Sequence, residues 1–172
     1  MTKAALTVLD EIVWREVPLA SDVESIREIV ASSGFFSRNE LQIAVELVQE
    51  RLSKGVLSGY HFLFAERSGM LIGYACFGPI PGTQESYDLY WIAVRALMRG
   101  SGLGKLILEK VEQRIDELGG RRIYVETSSR PQYHPTRAFY GRCGYAEEAF
   151  LKNFYAPGDD KIIYVKALGS RV

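Results

Sequence analysis

Cysteine and histidine are scarce in this sequence of 172 residues, which contains two of each. The two cysteines, Cys76 and Cys143, stand in unrelated contexts and do not define the disulfide framework of a small secreted domain. With only two histidines beside them, the sequence offers no spacing typical of a metal site. We therefore predict neither a structural disulfide nor a bound metal.

Net charge is absent as well, because 21 Lys and Arg residues balance 21 Asp and Glu residues. Without a basic excess we predict no nucleic-acid partner and no attraction to an anionic membrane surface. The longest apolar runs, such as residues 71–81, have the length of a strand and are interrupted by glycine, which argues against a membrane span. The first 20 residues lack the pattern of a signal peptide. The expected location is the cytoplasm.

What remains is an ordinary globular composition, with 47% hydrophobic and 24% charged residues. A chain of this length buries about 70% of the surface that its unfolded form exposes. No repeat, low-complexity stretch or Pro/Gly-rich linker divides it. We predict one domain over residues 1–172.

Hydrophobic periodicity and turn residues predict seven strands and four helices. Two helix starts carry capping-box signatures, Ser21 with Glu24 and Ser37 with Glu40. In chain order the elements are a strand over 12–17, helices over 21–33 and 37–54, strands over 60–66, 70–77 and 87–94, a helix over 103–118, a strand over 122–126, a helix over 136–143, and strands over 146–154 and 161–167.

This order predicts a mixed α/β fold. Strands that follow one another without a helix are expected to pair antiparallel, whereas strand–helix–strand around residues 103–118 predicts a right-handed parallel crossover. The result is a mostly antiparallel twisted sheet with helices on both faces. Ligands of open α/β sheets usually bind where the connectivity changes.

A glycine-rich loop, residues 99–105, connects the strand over 87–94 to the helix over 103–118. Gly100, Gly102 and Gly104 remove Cβ atoms, so the backbone can turn sharply and its amides can surround a ligand. The helix that follows begins with unpaired N–H groups and the positive end of its dipole. Phosphate is the ligand that such a loop favours.

The loop does not match the commoner phosphate motifs. Lys105 stands where a dinucleotide-binding loop needs its third glycine. A P-loop needs glycine at the position of Arg99 and Ser or Thr at the position of Leu106. The loop fits Arg/Gln-x-x-Gly-x-Gly instead, the pyrophosphate loop of the GNAT N-acetyltransferases, and the chain resembles that family.

Two further segments carry the resemblance. Ile92-Ala93-Val94 matches the family's strand before the loop, although Ala96 replaces a common proline. Residues 135–145 resemble its last helix, with Phe139-Tyr140 and a trailing Gly144-Tyr145, but without the common asparagine near the start of that helix. The similarity covers residues 60–167 well and the first two helices only by their order.

The resemblance implies a GNAT-type sheet whose splayed parallel strand pair binds acetyl-CoA, with a bulge near residues 92–94 causing the splay. It implies that backbone groups of Ile92, Ala93 and Val94 pair with the pantetheine arm. The other residues it implies at the cofactor are Arg99, Gly100, Ser101, Gly102, Leu103, Gly104, Lys105, Thr136 and Phe139.

The implied reaction is acetyl transfer to a primary amine by direct attack in a ternary complex. Tyr140 stands where the family has a helix tyrosine that protonates the leaving thiolate; the alternative is a core aromatic residue. Asp88 stands where family members carry a strand carboxylate that acts as the base; the alternative is a structural acid paired with an arginine. Glu126, Glu85 and water are the other candidates for the base. Cys143 is expected to be a small buried side chain rather than a nucleophile.

The acceptor is expected to be a small-molecule or peptide amine. Phe35 and Phe36, between the first two helices, fall where the family forms its acceptor pocket, and Tyr90 and Glu126 are expected to contact the acceptor too. The aromatic hairpin around residues 150–158 offers either a homodimer contact or one side of the acceptor entrance. The rival function is a non-catalytic acyl-CoA sensor on the same fold.

Overall fold

The computed structural model of the protein describes residues 11–34 and 36–169. Three short 3₁₀ turns, at Gly55–Ser58, Ala96–Met98 and Pro131–Tyr133, accompany its helices and strands. In chain order those elements are β1 (Val13–Arg15), α1 (Asp22–Ala31), α2 (Arg38–Lys54), β2 (His61–Arg67), β3 (Met70–Pro79), β4 (Ser86–Val94), α3 (Leu103–Glu117), β5 (Arg122–Ser128), α4 (His134–Arg142), β6 (Ala146–Ala156) and β7 (Asp159–Ala167).

The strands are hydrogen-bonded in the order β1-β2-β3-β4-β5-β7-β6. The pairs β1–β2, β2–β3, β5–β7 and β6–β7 are antiparallel, and β4–β5 is parallel. The parallel pair follows from the connection through α3, because a helix is what lets two neighbouring strands run the same way. The predicted mixed, mostly antiparallel sheet is confirmed.

The chain divides into two compact units. Unit 1 comprises residues 1–78 and 91–113, and unit 2 comprises residues 79–90 and 114–172, so β4 contributes its first half to unit 2 and its second half to unit 1. The prediction of one domain stays a prediction. Fully buried side chains in unit 1 include Ile26, Ile29, Val48, Phe62, Phe64, Tyr74 and Ile107, and those in unit 2 include Ile115 and Ile123.

The two predicted capping boxes have different outcomes. At α2 the box is confirmed: the Glu40 backbone N–H donates to Ser37 Oγ at 3.2 Å, and the Ser37 N–H donates to Glu40 Oε2 at 2.7 Å. At α1 the box is wrong, since Ser21 has helical backbone angles and makes no capping bond through its side chain. Asp22 replaces it, because its carboxylate accepts the Leu19 N–H at 2.6 Å and pairs with Arg15 at 2.8 Å.

No helix in residues 11–34 and 36–169 is long and apolar enough to cross a membrane. Cys76 and Cys143 are not joined in a disulfide, and Cys143 is half-buried where a buried side chain was expected. Cys143 is the residue that caps the end of α4, and its backbone N–H donates to the Phe139 carbonyl at 3.0 Å.

Gly120 marks the tight turn between α3 and β5. A Cβ at this position would contact Ile115 and lie 2.7 Å from Cδ2 of Tyr87, which no real Cβ tolerates. Gly141, in the last turn of α4, has an ordinary backbone conformation and nothing within 4 Å of a Cβ.

We expect opposite effects from alanine at these two glycines. Gly120→Ala should lower the free energy of unfolding by about 1–3 kcal/mol, because the added methyl overpacks the turn. Gly141→Ala should raise it by about 0.5–1 kcal/mol, because alanine loses less backbone entropy in a helix. Urea denaturation of both variants measures the difference. Equal stabilities would contradict the packing described at Gly120.

Candidate functional site

The candidate site in unit 2 begins where β4 and β5 stop pairing. Their parallel register runs from Ser86 with Arg122 to Asp88 with Tyr124. Just beyond it lies a cavity of about 170 Å³ lined by Asp88, Leu89, Tyr90 and Glu126. The splay of the parallel pair therefore begins at Leu89, before the predicted bulge near residues 92–94.

The two carboxylates of this cavity lie on the same face of the sheet. Residues paired in a ladder point the same way, and so do residues two apart on one strand. Asp88 is opposite Tyr124, and Glu126 is two residues further along β5. Because Tyr90 is two residues beyond Asp88, it shares this face as well. The structure thus brings together three of the predicted site residues.

Burial raises the pKa of Asp88 to about 6, with a smaller contribution from the Glu126 carboxylate, while the Lys161 ammonium lowers it. Removal from water disfavours the charged form of a carboxyl, and a second carboxylate acts in the same direction. At neutral pH Asp88 is therefore mostly ionised, yet it is a much stronger base than an exposed aspartate. The alternative role for Asp88 is that of a structural acid paired with an arginine. The charged groups that act on Asp88 are instead Glu126 and Lys161.

Glu126 forms an ion pair with Lys161, whose Nζ lies 2.6 Å from Oε2. Sequence reasoning missed Lys161. The signal for it is the register of β5 with β7, where Ser128 pairs with Lys161. Since Glu126 and Ser128 are two apart, the lysine falls diagonally beside Glu126, but the sequence does not contain that register. Glu85, another candidate base, is exposed and does not line the cavity.

Tyr140 is buried in α4 among aromatic side chains. Its ring centroid lies 5.4 Å from that of Phe139, 5.6 Å from that of Tyr145 and 6.1 Å from that of Tyr164. Burial raises its pKa well above the ordinary value for tyrosine, and the Cys143 side chain acts in the same direction. The phenol is therefore neutral at physiological pH and can act only as a hydrogen-bond or proton donor or as a neutral acceptor. Thr136 and Phe139, on the same helix, are partly exposed.

The glycine loop belongs to unit 1 and follows the 3₁₀ turn at Ala96–Met98. Gly100 and Gly102 have φ values of 74° and 90°, and nothing lies within 4 Å of a Cβ built on either. Ser101 Oγ donates to the Met98 carbonyl at 2.6 Å and accepts the Leu103 N–H at 3.3 Å. The loop is thus shaped by left-handed glycines and surrounded by open space, which fits an anion at the start of α3.

Arg95 anchors the start of this loop. Its Nε donates to the Leu71 carbonyl at 2.6 Å, and its guanidinium forms an ion pair with Glu28 at 2.9 Å. Its backbone N–H donates to the Ile72 carbonyl at 2.9 Å. These bonds fix the segment before Ala96, where the family's proline is missing.

The remaining residues predicted to bind the cofactor differ in how far their side chains are exposed. Leu103 is fully buried, so only its backbone can face a ligand, whereas Arg99 is exposed. Lys105 is exposed too, and its ion pair with Glu109 at 3.7 Å is of the weak surface kind. Ile92, Ala93 and Val94 form the partly exposed end of β4.

The predicted acceptor residues between α1 and α2 are Phe35 and Phe36. Phe36 packs against Trp91 with ring centroids 5.0 Å apart. Phe35 lies outside the described residues. Phe150, Phe154 and Tyr155 on β6 are about half exposed, and both roles expected of that hairpin stay predictions. Among the residues that the structure describes, no group of three or more His, Cys, Asp or Glu side chains could hold a metal ion.

Three comparisons with known proteins show which family this chain is similar to. Residues 23–145 match the profile of the acetyltransferase (GNAT) family. An uncharacterized N-acetyltransferase of Methanocaldococcus jannaschii is 28% identical over 107 residues, which cover 61% of this chain and 65% of that protein. The chain therefore spans slightly less than two thirds of that relative.

Solved structures show the same fold. A crystal structure of a GNAT-family acetyltransferase from Desulfovibrio desulfuricans is 46% identical, covers 91% of this chain and 98% of that one, and has a TM-score of 0.89. An aminoglycoside 6'-N-acetyltransferase complexed with coenzyme A is 16% identical over 93% of this chain and 99% of that one, with a TM-score of 0.73. The resemblance found in the sequence is confirmed: the chain belongs to the GNAT family of N-acetyltransferases, which use acetyl-CoA as the acetyl donor.

Proposed function

We propose that residues 1–172 form one N-acetyltransferase domain that transfers an acetyl group from acetyl-CoA to a primary amine of a small-molecule or peptide acceptor. The observation that carries the proposal is the pair of carboxylates, Asp88 and Glu126, in the cavity where β4 and β5 separate. The amine attacks directly in a ternary complex. Acetyl-CoA supplies the activated acetyl group as a thioester.

The glycine loop is the proposed binding site of the cofactor's pyrophosphate. The open space around Gly100 and Gly102 supports this assignment, because a phosphate can approach the backbone there without meeting a Cβ. Arg99 and Lys105 add charge-assisted contacts to the phosphates. Ile92, Ala93 and Val94 offer backbone groups to the peptide-like arm of the cofactor, and Thr136 and Phe139 contact it from α4.

Asp88 is the proposed base, because a primary amine attacks only after its ammonium has lost a proton. A carboxyl whose pKa is about 6 is ionised at neutral pH and accepts that proton more readily than an ordinary aspartate. Asp is shorter than Glu, so one water relays the proton where the amine does not reach Asp88. Tyr90 shares the face of Asp88 and orients the amine or the water.

Tyr140 is the proposed donor to the leaving thiolate. Its burial keeps the phenol neutral, which preserves the proton that a donor needs. On the acceptor side, the carboxylate of Glu126 attracts an ammonium ion, and the side chain of Phe36 is the proposed apolar contact.

The proposal is tested by mixing the protein with acetyl-CoA and a panel of amines that includes short peptides, with thiol release as the readout. Turnover on at least one primary amine is expected. Acetyl-CoA binding without turnover on any amine would instead indicate the rival function, a non-catalytic acyl-CoA sensor.

Substitution in the loop should remove cofactor binding. We expect Gly102→Val to weaken acetyl-CoA binding more than tenfold, which is a loss of more than about 1.4 kcal/mol, because the branched side chain fills the space that the pyrophosphate needs. Gly69→Val is the matched control, since Gly69 has a φ of 75° and the same open surroundings in the β2–β3 turn. Calorimetry measures both affinities. Unchanged binding by a folded Gly102→Val protein would contradict the loop assignment.

Loss of the base should affect turnover and spare binding. We expect Asp88→Asn to lower kcat by about 10²–10⁴-fold, the usual range for removal of a general base, and to leave acetyl-CoA affinity unchanged. Glu126→Gln is the matched control, because it removes the other carboxylate of the cavity. A larger loss in Glu126→Gln than in Asp88→Asn would transfer the role of base to Glu126.

Removal of the Tyr140 hydroxyl should affect kcat more than KM. Phenylalanine keeps the ring and its packing, so Tyr140→Phe should melt at nearly the same temperature. Since a thiol with a pKa near 8.5 leaves readily, we expect a loss of only about 10–10³-fold in kcat. Steady-state kinetics and thermal denaturation test this together. A much lower melting temperature with full activity per folded molecule would show that the hydroxyl is structural.

A further inference from the structure

The β6–β7 hairpin contains an irregularity close to the cavity. Leu151 pairs with Lys161 and Ala156 pairs with Asp159, so residues 152–155 of β6 lie opposite a single residue of β7. Bulges of this kind re-aim side chains and are frequent beside active sites.

Local polar contacts hold this bulge in shape. Asn153 has a φ of 55°, a left-handed conformation that asparagine tolerates better than most residues. Its backbone N–H donates to Asp160 Oδ1 at 2.6 Å, and its side-chain oxygen accepts the Gly158 N–H at 2.8 Å. Two hydrogen bonds thus hold the left-handed Asn153 in place and fix the shape of the bulge.

The bulge places an aromatic ring against a buried charge. Lys161 Nζ lies 4.3 Å from the centre of the Phe154 ring, although Phe154 itself is 53% exposed. Lys161 is only 9% exposed. A cation over a ring face is stabilised by the electrostatic quadrupole of the ring. The contact therefore helps to hold the ammonium in place.

The fixed ammonium acts on the carboxylates of the cavity rather than on its chain neighbours. Asp159 accepts from Ser128 Oγ and forms an ion pair with Arg130 at 3.0 Å. Asp160 accepts the Asn153 N–H. Lys161 instead lies 2.6 Å from Glu126.

We propose that Lys161 is a positioning residue: its ammonium, held between the Phe154 ring and the Glu126 carboxylate, pairs with Glu126 and leaves Asp88 as the group that takes the acceptor's proton. This inference rests on the proposed function of Asp88. The acceptor ammonium gives one proton to Asp88, which passes it to solvent. As the C–N bond forms and the C–S bond of the thioester breaks, the nitrogen loses a second proton and the leaving thiolate takes one from Tyr140, which the second proton restores. The products are an amide, a thiol and one released proton.

The charged groups that act on Asp88 are Glu126 from β5 and Lys161 from β7, and their effects on its pKa oppose each other. Without Lys161, the Glu126 carboxylate would act on Asp88 without the opposing effect of the Lys161 ammonium. Asp88 would then keep its proton to a higher pH, and a protonated Asp88 cannot act as a base.

The test is a titration of the Asp88 carboxyl followed by ¹³C NMR, which needs no acceptor. Lys161→Met and Lys161→Gln should each raise the midpoint by about one pH unit, the lower end of the effect of a neighbouring opposite charge. Lys161→Arg should stay close to the wild type. Lys152→Met, which removes a charge from an exposed position on β6, is the control and should leave the midpoint unchanged.

The same variants, assayed on an amine found in the panel, separate this inference from the proposed function. The acid limb of kcat/KM should move by the same amount as the midpoint in the Lys161 variants. A midpoint that moves in neither neutral variant overturns the role of Lys161, while a large loss in Asp88→Asn would still support the base. A midpoint that moves without the acid limb overturns Asp88 as the base. A Lys161→Arg protein that behaves like Lys161→Met also overturns the inference.

Discussion

Parallel pairing between β4 and β5 extends over only three residue pairs, and the cavity depends on where it ends. Strands that continue to pair lie about 4.8 Å apart and use their backbone groups on each other, which leaves no room for a ligand. Because the ladder stops at Asp88 and Tyr124, Tyr90 and Glu126 line an open space instead. The same three pairs hold Asp88 at the edge of the cavity, so the proposed base is anchored while the residues beyond it face the open space.

The partial burial of Asp88 at the edge of the cavity lowers the stability of the folded protein at neutral pH. The pKa of Asp88 is raised above its unfolded value, so between about pH 4 and pH 6 the folded state binds more protons than the unfolded state. The contribution of Asp88 to the free energy of unfolding is fully present below about pH 4 and is lost as the pH rises to about 6. At neutral pH the protein therefore holds a partly buried charge that destabilises the fold. Sites tuned for chemistry commonly carry such a cost.

Much of this architecture could be predicted from the sequence because the signals are local. Alternating and helical hydrophobic patterns predict the strands and helices, and the glycine spacing predicts the phosphate-binding loop. The prediction of a capping box at Ser21 is wrong because the Asp22 carboxylate, one residue later, accepts the Leu19 N–H and pairs with Arg15. Lys161 and the bulge that places Phe154 over it could not be predicted, because both depend on the register of β7 with its neighbours, and no short-range pattern encodes that register.

Asp88 is the proposed base of an amine acetyltransferase. The most direct test is the pH dependence of kcat/KM for the wild type and for Asp88→Asn on the same amine. We expect the wild type to lose activity below an apparent pKa of about 6, and Asp88→Asn to be slow and to lack that acid limb. An acid limb that persists unchanged in Asp88→Asn would contradict the claim, because the group that titrates would then be another one.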